Sequence, residues 1–292
     1  MNGPGPAPPD RPARGGPEIP AWTAFVVFMF AVTMGYAASG LALYAVAWLQ
    51  AGKVPPGSTA VLLATAATIP GLLAVVGAIA VTEILVVLSA LRSLRAPARE
   101  ALRLAPSAAG PGVLALAAVA MLLLSHALDT SVHIAGLADD GTLGRLREVF
   151  ANAPPAALLA SVAVVGLLAA TAEELLFRGF MQTRLTARLG PAAGVTVTSI
   201  FFGLAHFDPV QGGAAVLLGI YLGAITEWSG SLRPAILCHI LNNTLGTLAP
   251  AMIDGGGETS FQYASLAVST GGLAVLLPWL RRRLRPVPLR AG

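Results

Sequence analysis

Two adjacent carboxylates, Glu173 and Glu174, lie inside the apolar stretch AALLASVAVVGLLAATAEELLFR. A charged acid near mid-bilayer costs at least about 2–3 kcal/mol, so such residues face a bundle interior or a wet cavity and are functional by default. Two polar clusters at helical spacing follow in the next apolar segments: Phe202-x-x-x-His206 and His239-x-x-x-Asn243. Peptide hydrolysis needs a base for water, a proton carrier to the leaving amine and donors for the oxyanion. A carboxylate, two imidazoles and an amide in consecutive apolar regions supply those parts.

Glu173 is the candidate base, and His206 can orient the attacking water. His239 and Asn243 can donate hydrogen bonds to a tetrahedral oxyanion. The same residues allow a second chemistry. Glu173, His206 and His239 would make three ligands of a zinc or other divalent ion with an open water position. Spacing does not separate the metal-dependent from the metal-free mechanism. The helical zinc signature His-Glu-x-x-His is absent, and nothing resembles a serine-nucleophile elbow. Each residue also has a plainer reading. A lone histidine on an apolar helix serves as a satisfied core group, Asn243 as interhelical glue, and the two glutamates as an ion-pair network. Their coincidence in one short region favours chemistry.

Glu174 and Arg178 stand at i,i+4 on one helix face, where pairing lowers the cost of keeping both near lipid. Glu173 sits about 100° around the helix from Glu174 and can point elsewhere, into a cavity.

The elements that position these groups are apolar helices. The chain has 292 residues, 55% of them hydrophobic and 11% charged, with mean hydropathy +0.75. A soluble domain carries roughly 25% charged residues, so this is an all-α polytopic protein of the cell membrane. The net charge of +4 is no nucleic-acid signal, because the basic residues cluster at span ends. One cysteine, Cys238, excludes an internal disulfide and a multi-cysteine metal cage. Residues 1–20 are Pro/Gly-rich and read as a disordered tail. Residues 21–283 read as a single membrane domain with its core at 156–250, and 284–292 as a basic tail.

Eight spans are expected, at 22–49, 59–91, 111–130, 156–178, 191–207, 210–228, 233–252 and 263–280. The second run carries Pro70-Gly71 and is either one long kinked helix or a broken one; it counts as one span. With both termini inside, the inner segments hold 15 basic residues and the outer loops 3, namely Lys53, Arg145 and Arg147. The positive-inside rule supports that orientation. The loop at 253–262, with Asp254 and Glu258 and no basic residue, agrees.

A turn at Gly190-Pro191 makes 157–207 a helical hairpin. Glu173 lies 17 residues before Gly190 and His206 lies 16 after it, so the two come level across the hairpin. His239 and Asn243 share a face on the order of 10–15 Å into their own helix. The hairpin tip, with Arg184 and Arg188, must then project beyond the membrane. Asp208-Pro209 ends the fifth span just past His206, which requires the sixth to start at that depth or tilt.

Glu173-Glu174-x-x-x-Arg178, Phe202-Gly203-Leu204-Ala205-His206 and His239-x-x-x-Asn243, in that order, resemble the CPBP intramembrane proteases, the CAAX prenyl protease, bacteriocin-processing or Abi family. The context Arg-Gly-Phe after the first motif and Ser-Leu-Arg-Pro-Ala-Ile-Leu-Cys-His before the last is similar too. The resemblance covers about residues 156–250. It implies an eight-span helical fold and endopeptidase activity on a membrane-associated protein or peptide. It also implies that Glu173 and His206 activate water, that His239 and Asn243 hold the oxyanion, and that Glu174, Arg178 and Phe202 support the site. The family is commonly labelled metalloprotease, while a metal-free glutamate mechanism has been argued for members of it.

Other polar residues receive structural readings. Glu83 reads as an interfacial or ion-pair group near an arginine-rich end. His126, Asp129 and His133 read as a wet helix end rather than an outer metal site. Cys238 reads as small and apolar, Asp208 as a helix terminator, and Glu227 as a headgroup-level residue. Trp22, Trp48, Trp228 and Trp279 fall near span ends, as in an aromatic belt. The competing functions are a catalytically silent binding or immunity-type protein of the same fold, and a small proton-coupled transporter. The transporter predicts inverted repeats, and no convincing pair is visible.

Overall fold

Runs of apolar residues with no internal water must satisfy their backbone within helices, and helices alone form here among the described residues. The computed structural model describes residues 20–52, 54, 57–138, 141–252 and 259–284. The expected tails fall outside these residues, apart from Pro20 and a buried Leu284. The acidic positions Asp254 and Glu258 lie outside them too.

Helix α1 is Trp22–Ala51 and ends at Gly52, whose φ of 69° suits glycine at a helix C-terminus. The second apolar run is broken into α2, Thr59–Ala66, and α3, Ile69–Ser93. Thr68 caps α3 by accepting from the Gly71 amide, and Pro70 occupies its first turn. A Cβ on Gly71 would lie 2.0 Å from the Thr65 carbonyl oxygen, so this junction requires glycine. With eight residues, α2 is too short to span, and the run supplies one span as expected.

A four-residue helix α4, Ala98–Ala101, precedes α5, Pro111–Ile134, and α6, Gly141–Ala151. The sequence reading contained no α6; its charged residues Arg145, Arg147 and Glu148 hid it from a search for apolar runs. Helix α7, Pro155–Leu189, runs on unbroken for 35 residues. The turn Gly190-Pro191 then starts α8, Pro191–Leu204, with Gly190 at φ 83°. Helices α9, Pro209–Ser229, α10, Arg233–Met252, and α11, Thr259–Arg283, follow.

Among the described residues, six helices are long and apolar enough to cross a membrane: α1, α3, α5, α7, α9 and most of α11. Two of the expected eight spans are not among them. With 14 residues, α8 is short of the ~20 a span needs. Helix α10 has 20 residues but is diluted by His239, Asn242, Asn243 and Thr244. These two helices carry His206 at the end of one and His239 and Asn243 within the other.

The turn after His206 resolves how α9 begins at the depth where α8 stops. Helix α9 doubles back along α8, and small residues permit the close approach. A Cβ on Gly203 would lie 2.5 Å from the Gly212 carbonyl oxygen, and one on Gly212 would lie 2.7 Å from that of Gly203. Gly219 and Gly223 continue the same face onto Arg178 and Gln182 of α7. One apolar cluster joins α1, α3, α7 and α8 around Phe28, Phe177 and Phe202; another joins α5, α9, α10 and α11 around Met121, Tyr221 and Cys238. The motif residues sit between them.

Candidate active site

Helix α7 carries the acids on an unusual backbone. Residues Ala170–Glu174 are α-helical, but the turns before and after them, Val162–Ala169 and Leu175–Gln182, are π-helical. A π turn widens the helix and rotates the residues beyond it, and such turns recur at functional sites. Here they aim the two glutamates toward different neighbours.

Glu174 points into the bundle and is fully buried. Its Oε1 accepts from Arg178 Nη1 at 2.6 Å, the i,i+4 pair expected from the spacing, and from His239 Nδ1 at 2.9 Å. The second bond spans 65 positions of chain, and no local pattern announces it. Arg178, also fully buried, lies with its guanidinium 4.3 Å from the centre of the Phe202 ring. Phe202 thus supports three groups, since its ring also packs edge-on against His206 and His239.

Glu173 points the other way and keeps 24% of its side chain exposed. Its Oε2 lies 3.5 Å from His239 Nε2. His239 is therefore held between the two glutamates, one at each ring nitrogen. With Nδ1–H donated to Glu174, a proton on Nε2 makes the ring an imidazolium, balanced by the adjacent carboxylates.

His206 stands at the end of α8, partly exposed. Its Nδ1 donates to the Phe202 carbonyl at 2.9 Å. A carbonyl oxygen only accepts, so this bond fixes the tautomer and leaves Nε2 as a free acceptor. The turn after His206 is strained: Phe207 has φ 51°, in the left-handed region. Tyr36 of α1 braces it, donating to the Ala205 carbonyl at 3.1 Å and stacking edge-on with Phe207. Asp208 braces it from the far side, accepting from the amides of Val210 and Gln211 at the start of α9 and of Thr142 in α6. Those three amides hold its carboxyl below the usual carboxylate range, the Gln211 amide most. Asp208 is thus a cap, where the sequence reading had a terminator.

Asn243 lies one turn beyond His239. Its Nδ2 donates to the Val165 carbonyl in the first π turn of α7, at 3.4 Å, and its Oδ1 accepts from Asn242. An amide nitrogen carries two hydrogens, so one N–H of Asn243 remains for a substrate.

A metal ion is a poor fit. Glu173 and His239 converge, but a catalytic zinc takes three protein ligands. Among the described residues no three histidine, cysteine, aspartate or glutamate side chains are grouped to hold an ion.

Three further features were not foreseen. Glu227, near the end of α9, is an ion-pair and hydrogen-bond hub: its Oε1 accepts from Arg103 and from Gln182 of α7, tying the loop after α4 to the bundle. Glu83 is not interfacial: it is 6% exposed inside the bundle, and its electrostatic neighbour is Glu173. His133, Asp129 and Arg147 form a latch between α5 and α6, with Arg147 bonding both His133 Nε2 and the Asp129 carboxylate.

Residues 155–245 match a family model described as Type II CAAX prenyl endopeptidase Rce1-like. No curated protein and no solved structure matches the chain. The matched segment runs from the start of α7 to just past Asn243, and so contains every motif residue.

Proposed function

We propose that this multi-pass membrane protein, whose segment 155–245 matches the model described as Type II CAAX prenyl endopeptidase Rce1-like, is an endopeptidase that cleaves membrane-associated proteins or peptides with a water activated by Glu173. The observation that carries the reading is the division of labour between two neighbouring glutamates. Glu174 is consumed by Arg178 and His239, whereas Glu173 is partly exposed and, among the described residues, accepts no hydrogen bond, its charged neighbour His239 Nε2 lying 3.5 Å away.

In the proposed reaction Glu173 takes a proton from water, which His206 Nε2 helps to orient. The resulting hydroxide adds to the scissile carbonyl carbon. Nε2–H of His239 and the free N–H of Asn243 donate to the oxyanion, and such preorganised donors give a large share of the rate. Glu174 orients His239 through its Nδ1–H, and Nε2 donates when the ring is an imidazolium. Glu173 then passes its proton to the leaving amine, and the carbon–nitrogen bond breaks. No step uses a metal ion.

The description of the matched family suggests prenylated C-terminal peptides as a substrate class. The test is cleavage in proteoliposomes of two reporters: a farnesylated peptide ending in a Cys-aliphatic-aliphatic-X box and an unmodified peptide on a transmembrane anchor. Cleavage of either, abolished in Glu173→Ala, supports the reading. Cleavage of neither, or equal cleavage by Glu173→Ala, overturns it.

A further inference from the structure

Helix α3 brings a third acid to the site. It packs parallel to α7: Gly77 lies against Val164, and Ala80 lies against Ala169 and Ala172. One turn further along, Glu83 therefore comes beside the turn that carries Glu173, and the two carboxyls interact electrostatically. Tyr36, the α1 residue that braces the His206 turn, is the other ionisable neighbour of Glu83. Glu83 thus belongs to the wall of the site formed by α1 and α3.

The charge count around it is specific. Two carboxylates, Glu173 and Glu174, face two basic groups, Arg178 and His239. That set is neutral when His239 is an imidazolium. Glu83 has no ion pair among the described residues, and its buried Oε2 has no hydrogen-bond partner there. An isolated buried carboxylate is expensive, and the neutral acid is the form such a site accepts. A neutral carboxylic acid is a hydrogen-bond donor.

We infer that Glu83 is a positioning residue of the hydrolytic site, a protonated carboxyl that donates toward Glu173 and holds the base in its working orientation. This rests on the endopeptidase reading above. Its proton stays on Glu83 through the cycle, since the proton from water travels to the leaving amine by way of Glu173. The arrangement matches a known pattern in which one carboxylic acid of a site is kept neutral in order to donate.

The test compares Glu83→Gln and Glu83→Met in proteoliposomes, on whichever reporter the wild-type protein cleaves. Glutamine keeps the shape and an N–H donor; methionine keeps volume and removes the polar group. The expected results are kcat within about 3-fold of wild type for Glu83→Gln and at least about 10-fold lower for Glu83→Met, with KM unchanged in both. Wild-type kcat in Glu83→Met overturns the inference, as does a kcat for Glu83→Gln as low as that of Glu83→Met. In each of these cases a Glu173→Ala variant that is still inactive leaves the endopeptidase reading standing. Absence of cleavage by the wild type removes both.

Discussion

His239 Nδ1 and Arg178 Nη1 converge on the same oxygen, Glu174 Oε1, at 2.9 and 2.6 Å. One buried carboxylate therefore does two things at once. It neutralises an arginine on its own helix, and it orients an imidazole brought in by a helix 65 positions away. The second is what makes α7 and α10 a single site.

Removing that carboxylate separates stability from activity. Glu174→Ala strands the fully buried Arg178 without its counter-charge, at a cost of about 3–5 kcal/mol. Thermal unfolding in detergent should show it. The double variant Glu174→Leu/Arg178→Met should recover most of the stability but remain at least about 10²-fold below wild type in kcat, because His239 has lost its partner. Equal activity in the double variant would show that Glu174 serves packing alone.

Asn243→Ala removes one oxyanion donor. The expected loss is about 10²–10³ in kcat with KM little changed, the signature of an interaction made in the transition state. A change in KM alone would instead assign Asn243 to ground-state substrate binding.

Much of this was legible in the sequence, and the reasons for the remainder are specific. The Glu174–Arg178 pair, the Gly190-Pro191 turn and the His239-x-x-x-Asn243 face follow from helical periods of 3–4 residues, which any reading of one segment captures. The break between α2 and α3 is signalled by Thr68, Pro70 and Gly71, a cap followed by a proline and a glycine. The His239–Glu174 bond, the Asn243–Val165 bond and the place of Glu83 depend on how distant segments pack, which no local period encodes. The two π turns of α7 also leave no mark in composition. For Glu83 the sequence allows either the bundle or an interface beside the arginines of the next loop, and the parallel packing of α3 on α7 takes it inward.

Tyr36 offers a milder perturbation. Tyr36→Phe keeps the ring against Phe207 and deletes only the hydroxyl bond to the Ala205 carbonyl. One such bond is worth about 0.5–1.5 kcal/mol, so kcat should fall about 2- to 10-fold as the His206 turn loosens. Backbone hydrogen exchange at residues 205–207 should rise in parallel.

Asp208 predicts a dependence on acidity. Its folded-state titration lies below the ordinary carboxylate range because the amides of Gln211, Thr142 and Val210 favour the ionised form. The stability it contributes is therefore full above the unfolded-state pKa and is lost as pH falls through the lower, folded-state value. Asp208→Asn should be less stable than wild type near neutrality, and the gap should narrow in acid. Unfolding temperatures measured across that range check the sign, and a gap that widens in acid would contradict it.

The most direct measurement is single-turnover cleavage of a membrane-embedded reporter by Glu173→Gln, an isosteric change that leaves volume intact and deletes the base. The expected result is a rate at least about 10²–10⁴ lower than wild type, the range for loss of a general base, with reporter binding and unfolding temperature unchanged. Cleavage by Glu173→Gln at the wild-type rate would mean that this carboxylate does not activate water, and the proposed chemistry would be wrong.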